Sequence, residues 1–123
     1  MVFAFECHDV FDKSSRLVNM TQKPVRVLMN LYRNIDRTLV QFDFLVNEVN
    51  PCDYDSEIQA LGGRIFRIPR YKLFNYSIYK TACKKFFSQH NYPIVHGHIG
   101  LPASIYLNEA SKTGAYTIAH SHA

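Results

Sequence analysis

The sequence predicts an α/β fold, a parallel sheet with helices on both faces. Three observations predict it. From residue 24 to residue 123, short apolar runs alternate with segments of helical spacing. Two of those runs, Pro93-Ile94-Val95 and Tyr116-Thr117-Ile118-Ala119, each end in a His-x-His triplet: His96-Gly97-His98 and His120-Ser121-His122. Between the triplets, a stretch of helical spacing stops at Gly114, so the whole reads as strand, crossover helix and parallel strand. That unit places both triplets on one edge of the sheet. Ligands of open parallel sheets bind at this edge, beyond the carboxyl ends of the strands.

The first 23 residues are taken as an irregular or atypical N-terminal segment, and 24–123 as a partial domain. Val2-Phe3-Ala4-Phe5 could form an edge strand, and Val10 to Val18 shows no clear period. Pro24 to Asn34 supports two readings. Val25, Leu28, Met29, Tyr32 and Ile35 lie at helical spacing, with Pro24 acceptable at the first helical position. Thr21 to Leu28 alone resembles the opening of a first strand, with Met20 as an internal start. The helix is preferred, ending before Asp36.

Gln41 to Val46 alternates and then turns fully apolar, as a largely buried strand does. Asp55 to Leu61 reads as a short helix capped by Asp53 or Asp55 and closed by Gly62-Gly63. Arg64 to Pro69 alternates as a strand with one polar face. Asn75 to His90 is the clearest helix, with an apolar stripe of Tyr76, Tyr79, Ala82, Cys83, Phe86 and Phe87. Lys80, Lys84 and Lys85 lie outside that stripe. Ala103 to Lys112 is the crossover helix between the two histidine strands.

A length of 123 residues fits one domain. A net charge of +4 allows an anionic substrate or a membrane surface, but lacks the dense basic stripe of a nucleic-acid binder. Cys7, Cys52 and Cys83 are odd in number, widely spaced and free of any CxxC pair, so they are expected to be reduced thiols in a cytoplasmic protein. No apolar run approaches the roughly 18–20 residues of a membrane span. Met1 to Phe5 is followed by Glu6, His8 and Asp9, unlike a signal peptide.

Residues i and i+2 of a strand point the same way, so His-x-His at a strand end is a metal-ligand pattern. No acidic residue accompanies either triplet, the nearest downstream of His98 being Glu109 inside the crossover helix. The plainer reading keeps His96 and His120 at the strand ends as structural groups. His98 and His122 then lie in the loops, better placed to meet a ligand. Gly97 to Pro102 is a turn that opens a helix and could hold an anion on its backbone N–H groups, or could simply be a turn. Arg64, Arg67, Arg70 and Lys72 make a basic face interleaved with Tyr71, Phe74 and Tyr76, suited to a phosphate or lipid headgroup or simply to solvent. No Ser/His/Asp or Cys/His triad is legible.

Met29 to Arg37 followed by Val40 to Val46 resembles the N-terminal domain of bacterial family 4 glycosyltransferases of the capsular and exopolysaccharide kind. Tyr54-Asp55 through Leu61-Gly62-Gly63, Ile65 to Pro69, Ile94 to His98 and Ile118 to His122 extend the resemblance to the end of the chain. The resemblance implies a Rossmann-like, doubly wound parallel sheet, the incomplete N-terminal half of a GT-B enzyme. It implies an acceptor-side part of a retaining transferase that moves a sugar from a nucleotide-sugar to a polysaccharide or lipid-linked acceptor. No cofactor and no metal are implied beyond the nucleotide-sugar donor of the full-length family member. The family position at the acceptor side of the reaction centre falls on His122. Acceptor binding falls on His98, Gly97, Gly100 and Arg70.

The chain departs from the family pattern in two ways. Gln22-Lys23 stands where a Gly-Gly loop belongs, or Lys23 to Leu28 is itself the first strand and the loop is missing. The chain also stops at Ala123, without the donor domain, so it is expected to be truncated and inactive alone. Expected partners are a sugar or lipid-linked acceptor, a donor-domain chain and a membrane surface, with no nucleic acid. The expected location is the cytoplasm, peripheral to the inner membrane face. Two alternatives stand beside this reading: an accessory subunit of a split transferase, and a metal hydrolase built on the His-x-His pairs.

Overall fold

The computed structural model describes residues 2–5, 26–98 and 102–120, with backbone alone for 2–5. Five strands form one parallel sheet: β1 (Val2–Phe5), β2 (Asp43–Val46), β3 (Ile65–Arg67), β4 (Ile94–Gly97) and β5 (Tyr116–Ala119). Helix α1 runs through residues 26–34. It is followed by α2 (Asp55–Ala60), α3 (Tyr76–Gln89) and α4 (Ala103–Ser111). The strand order is β3-β2-β1-β4-β5, which is compatible with a Rossmann-like fold.

The first strand departs from the expectation of an edge. Val2 to Phe5 pairs with Asp43 to Val46 on one side, and Val2 to Ala4 pairs with Val95 to Gly97 on the other. It is the central strand. Four apolar residues without polar alternation suit a strand flanked on both sides better than an edge. The alternative first strand over Lys23 to Leu28 gives way as well, because residues 26–28 are already helical. The rest of the N-terminal segment, where the Gly-Gly comparison falls, lies outside the described residues.

β2 shows how one strand serves two cores. Phe44 and Val46 pack with Leu28, Met29 and Tyr32 of α1 and Ile58 of α2. Leu45, between them, joins a second cluster with Tyr79, Cys83, Phe86 and Phe87 of α3 and Tyr106 of α4. Successive side chains of a strand point to opposite faces, so α1 and α2 cover one face and α3 and α4 the other. Each fully buried large side chain contributes about 1.5–3 kcal/mol relative to exposure.

Local chemistry explains most element ends. Gly62, at φ 91°, takes the left-handed position after α2. Gly63 follows where a Cβ would lie 2.8 Å from both Ile58 Cγ2 and the Tyr32 hydroxyl. The anticipated carboxylate cap of α2 is absent: Tyr54 occupies the cap without a side-chain bond, and Asp55 instead accepts from the Cys52 amide at 3.0 Å. Tyr76 leaves the expected stripe of α3, being 50% exposed in the first turn, with the Lys80 ammonium 5.9 Å from its ring centroid.

The cysteine expectation holds in part. Cys83 is free and buried, and burial pushes its thiol up to about 12. Cys52 is disulfide-bonded, contrary to expectation, since sequence spacing carries no information on which thiols meet in space. Cys7 lies outside the described residues. Among the described residues, no helix is long and apolar enough to cross a membrane.

Candidate functional site

The parallel register of β4 and β5 aligns His96 with Ile118 and Gly97 with Ala119. One step further, the His120 amide donates to the Gly97 carbonyl at 2.8 Å, which extends the ladder past the strand end. Side chains at 96, 98, 118 and 120 therefore fall on one face. The result is a three-imidazole cluster at the carboxyl edge of the sheet. The ring centroids of His96 and His98 are 4.4 Å apart, those of His98 and His120 4.9 Å, and those of His96 and His120 5.3 Å. His96 Nε2 lies 3.2 Å from His120 Nδ1, so one of these two rings donates to the other.

The cluster flanks the point where the sheet changes its direction of growth. β2 and β3 add on one side of β1, β4 and β5 on the other, and ligands of open parallel sheets collect at such a switch. Chemically, neutral imidazoles offer both N–H donors and nitrogen acceptors, which suits them to bind hydroxyl groups and to relay protons. One nitrogen from each of the three rings falls within 4.8 Å of the others, so these residues could also hold a cation. No carboxylate joins them among the described residues. Glu109 is buried on α4 and is tied to Lys112 at 3.0 Å.

Of the residues marked from sequence, His98 sits in this cluster. Gly97 lies between the two histidines but faces the opposite side of the sheet, buried for a packing reason: a Cβ there would clash with the Tyr106 hydroxyl, so the glycine lets α4 approach β4. Gly100 and His122 lie outside the described residues. His96 and His120, read as structural, contact each other and His98. Arg70 lies elsewhere, beyond β3, which is three strand spacings from β4, or roughly 14 Å at about 4.8 Å each. There it bonds Glu48 at 2.7 Å.

Around that pair opens a cavity of about 510 Å³, lined by Glu48, Val49, Asn50, Arg70, Lys72 and Asn75, among others. Burial pushes the Glu48 carboxyl up, but the Asn50 amide and the Arg70 guanidinium outweigh it and hold the group below the usual carboxylate range. Sequence reasoning missed Glu48. The signal was its position two residues past β2, on the edge where Arg70 emerges. It also missed Asn47, fully buried, whose Nδ2 donates to the Tyr79 hydroxyl at 2.6 Å. Desolvation raises the Tyr79 pKa well above its ordinary value. Among the described residues, Asn47 Oδ1 has no hydrogen-bond partner.

Comparison with known proteins adds what geometry alone does not carry. Over 98 residues, 78% of its length, the chain is 34% identical to the Bacillus subtilis (strain 168) protein named "Putative glycosyltransferase EpsF". The chain is thus similar to a protein whose name is that of a glycosyltransferase. It spans about a quarter of that relative, 26% of its length. No protein-family description matches the chain, and no solved structure matches it.

Proposed function

We propose that the chain is the acceptor-side part of a retaining family 4 glycosyltransferase of the exopolysaccharide kind, with a GT-B architecture and a doubly wound sheet. The whole enzyme moves a sugar in the cytoplasm from a nucleotide-sugar donor to a polysaccharide or lipid-linked acceptor, and this part alone is inactive. The similarity to EpsF across 78% of the chain carries this reading. The imidazole cluster supports it, because the histidines lie at the edge where this class of sheet meets its ligands.

In this reading, His98 and its neighbours orient an acceptor hydroxyl, and His122 serves the acceptor side of the reaction centre. The acceptor oxygen forms a bond to the anomeric carbon as the bond from that carbon to the donor phosphate oxygen breaks. The electron pair leaves with the nucleoside diphosphate, which also takes the hydroxyl proton. The imidazoles contribute orientation, which is worth most when it is fixed before reaction. The donor is held by residues corresponding to parts of the relative that this chain does not match.

The test is acceptor binding followed by histidine NMR. Adding lipid-linked sugar or polysaccharide fragments is expected to shift the ring resonances of His96, His98 and His120. His98→Ala should weaken binding about tenfold, the worth of one lost hydrogen bond in a desolvated site. Unchanged ring resonances at saturating acceptor would overturn the assignment.

A further inference from the structure

Three imidazoles from two strands meet where β4 and β5 end. His96 and His98 stand at i and i+2 along one strand and its end, and His120 lies beside them on the next. Backbone bonds set this placement before any ligand arrives. β4 and β5 pair in parallel register as far as Gly97 and Ala119, and the His120 amide adds a bond to the Gly97 carbonyl at 2.8 Å. His96 Nε2 and His120 Nδ1 are 3.2 Å apart. Two nitrogens on one tetrahedral zinc ion, each bonded at about 2.0–2.1 Å, are about 3.3–3.4 Å apart. The pair therefore already stands at the spacing of two ligands on one ion. One nitrogen of each of the three rings falls within 4.8 Å of the others.

The donor set selects the class of ion. Imidazole nitrogen suits zinc, nickel and copper, whereas magnesium and calcium take oxygen ligands. Among the described residues no carboxylate joins the three rings, and the buried Glu109 is bonded to Lys112. His120 is exposed and His96 half-buried, so an ion reaches the rings from solvent. A tetrahedral ion with three protein ligands keeps its fourth position for water. β5 gives such an ion a structural consequence. It is an outer strand, paired with β4 alone among the described strands, and its Tyr116 and Ala119 are exposed.

We propose that His96, His98 and His120 form a site for zinc or a similar borderline divalent ion, which clips the end of β5 to β4. The ion takes the place of the proton that His96 and His120 share. Each ring then carries its proton on the nitrogen away from the ion and gives its lone pair to the ion. His98 completes the set by rotation about its side-chain bonds. With no carboxylate joining the rings to act as a base, this is a binding site and not a hydrolase centre. It stands whether or not the rings meet an acceptor. A chain that binds zinc but no acceptor keeps this site and loses the acceptor reading.

The test is calorimetric titration of the full 123-residue chain, free of any histidine tag, with zinc alone and with magnesium alone. Cobalt serves as a coloured substitute for zinc. The expected result is one zinc per chain, the visible absorption of tetrahedral cobalt, and no comparable heat from magnesium. Excess zinc should raise the melting midpoint, because it binds the folded chain. Each of His96→Ala, His98→Ala and His120→Ala should weaken zinc at least about a hundredfold, the upper end of what losing a ligand's supporting partner costs. Each should also abolish the rise in melting midpoint. The His120 ring is exposed, so His120→Ala stays folded and keeps the test decisive if either other variant unfolds. Four results would overturn the proposal: no zinc binding, magnesium bound as well as zinc, zinc binding that His120→Ala leaves unchanged, or zinc bound with no rise in the melting midpoint.

Discussion

The two halves of the sheet are held by different chemistry. On the β2–β3 side, charges latch the structure at both ends. Asp43 and Arg64 meet at 2.8 Å near the start of the strands, and Glu48 and Arg70 at 2.7 Å beyond their ends. On the β4–β5 side the strand ends carry imidazoles that contact one another. That side is closed instead by the approach of Tyr106 to Gly97. The difference teaches where polar chemistry is already committed. Arginines bound to carboxylates in the fold have little left for a ligand, whereas an imidazole carries two ring nitrogens, of which His96 and His120 each spend one on the other.

The largest test of this contrast is Gly97→Val. Overpacking against the Tyr106 ring should cost about 3 kcal/mol, read as a lower urea midpoint. Tyr106→Phe in the same chain should restore part of it, because the hydroxyl is the nearest atom at 2.1 Å. Failure of that rescue would separate the glycine from the helix approach.

Next is Asp43→Asn, expected to cost about 2 kcal/mol, since the carboxylate receives both Arg64 and the buried Tyr92 hydroxyl. Burial raises the Asp43 pKa, but Arg64 and Tyr92 outweigh it and hold the group below its ordinary value. The sign follows from that depression. The stabilisation is present above the unfolded value of about 3.9 and is lost as pH falls through the lower folded value. Acid titration should therefore loosen the β2–β3 half first, and Asp43→Asn should flatten the acid limb of the stability profile.

Smaller effects sharpen the picture. Asn47→Ala removes one of two partners of the Tyr79 hydroxyl, the other being Cys83, and should cost about 1 kcal/mol. Arg70→Ala removes a partly exposed ion pair and should cost less than about 1 kcal/mol. Smallest is His120→Ala, whose exposed ring should leave the thermal midpoint within about 0.5 kcal/mol of the parent. A larger loss there would mean that the cluster is a structural support.

Much of this was legible in the sequence, for physical reasons that differ by element. Helix α3 was legible because Tyr79, Cys83, Phe86 and Phe87 repeat at helical spacing. The histidine strands were legible because β4 and β5 are joined by one helix, and such a unit has one handedness and one register sense. The place of β1 was not. Chain order does not encode sheet order, and four apolar residues suit an edge or a centre until pairing decides. The pairing of Arg70 with Glu48 was hidden for the same reason, since the two residues share an edge only after β2 and β3 align. The contact between His96 and His120 needed the β4–β5 register at single-residue precision.

The central position of Val2 to Phe5 has a consequence for how the molecule is assembled. Its partners are Asp43 to Val46 and then Val95 to Gly97, the second about fifty residues further along the chain. During synthesis this apolar strand therefore waits with one side bare. Long-range parallel pairing is slow, because loop closure must precede its reward. Chain order lets α1, α2, β2 and β3 settle on one side of β1 while its other side stays open. Of the described strands, β4 and β5 are the last to be made, and the histidine edge comes with them.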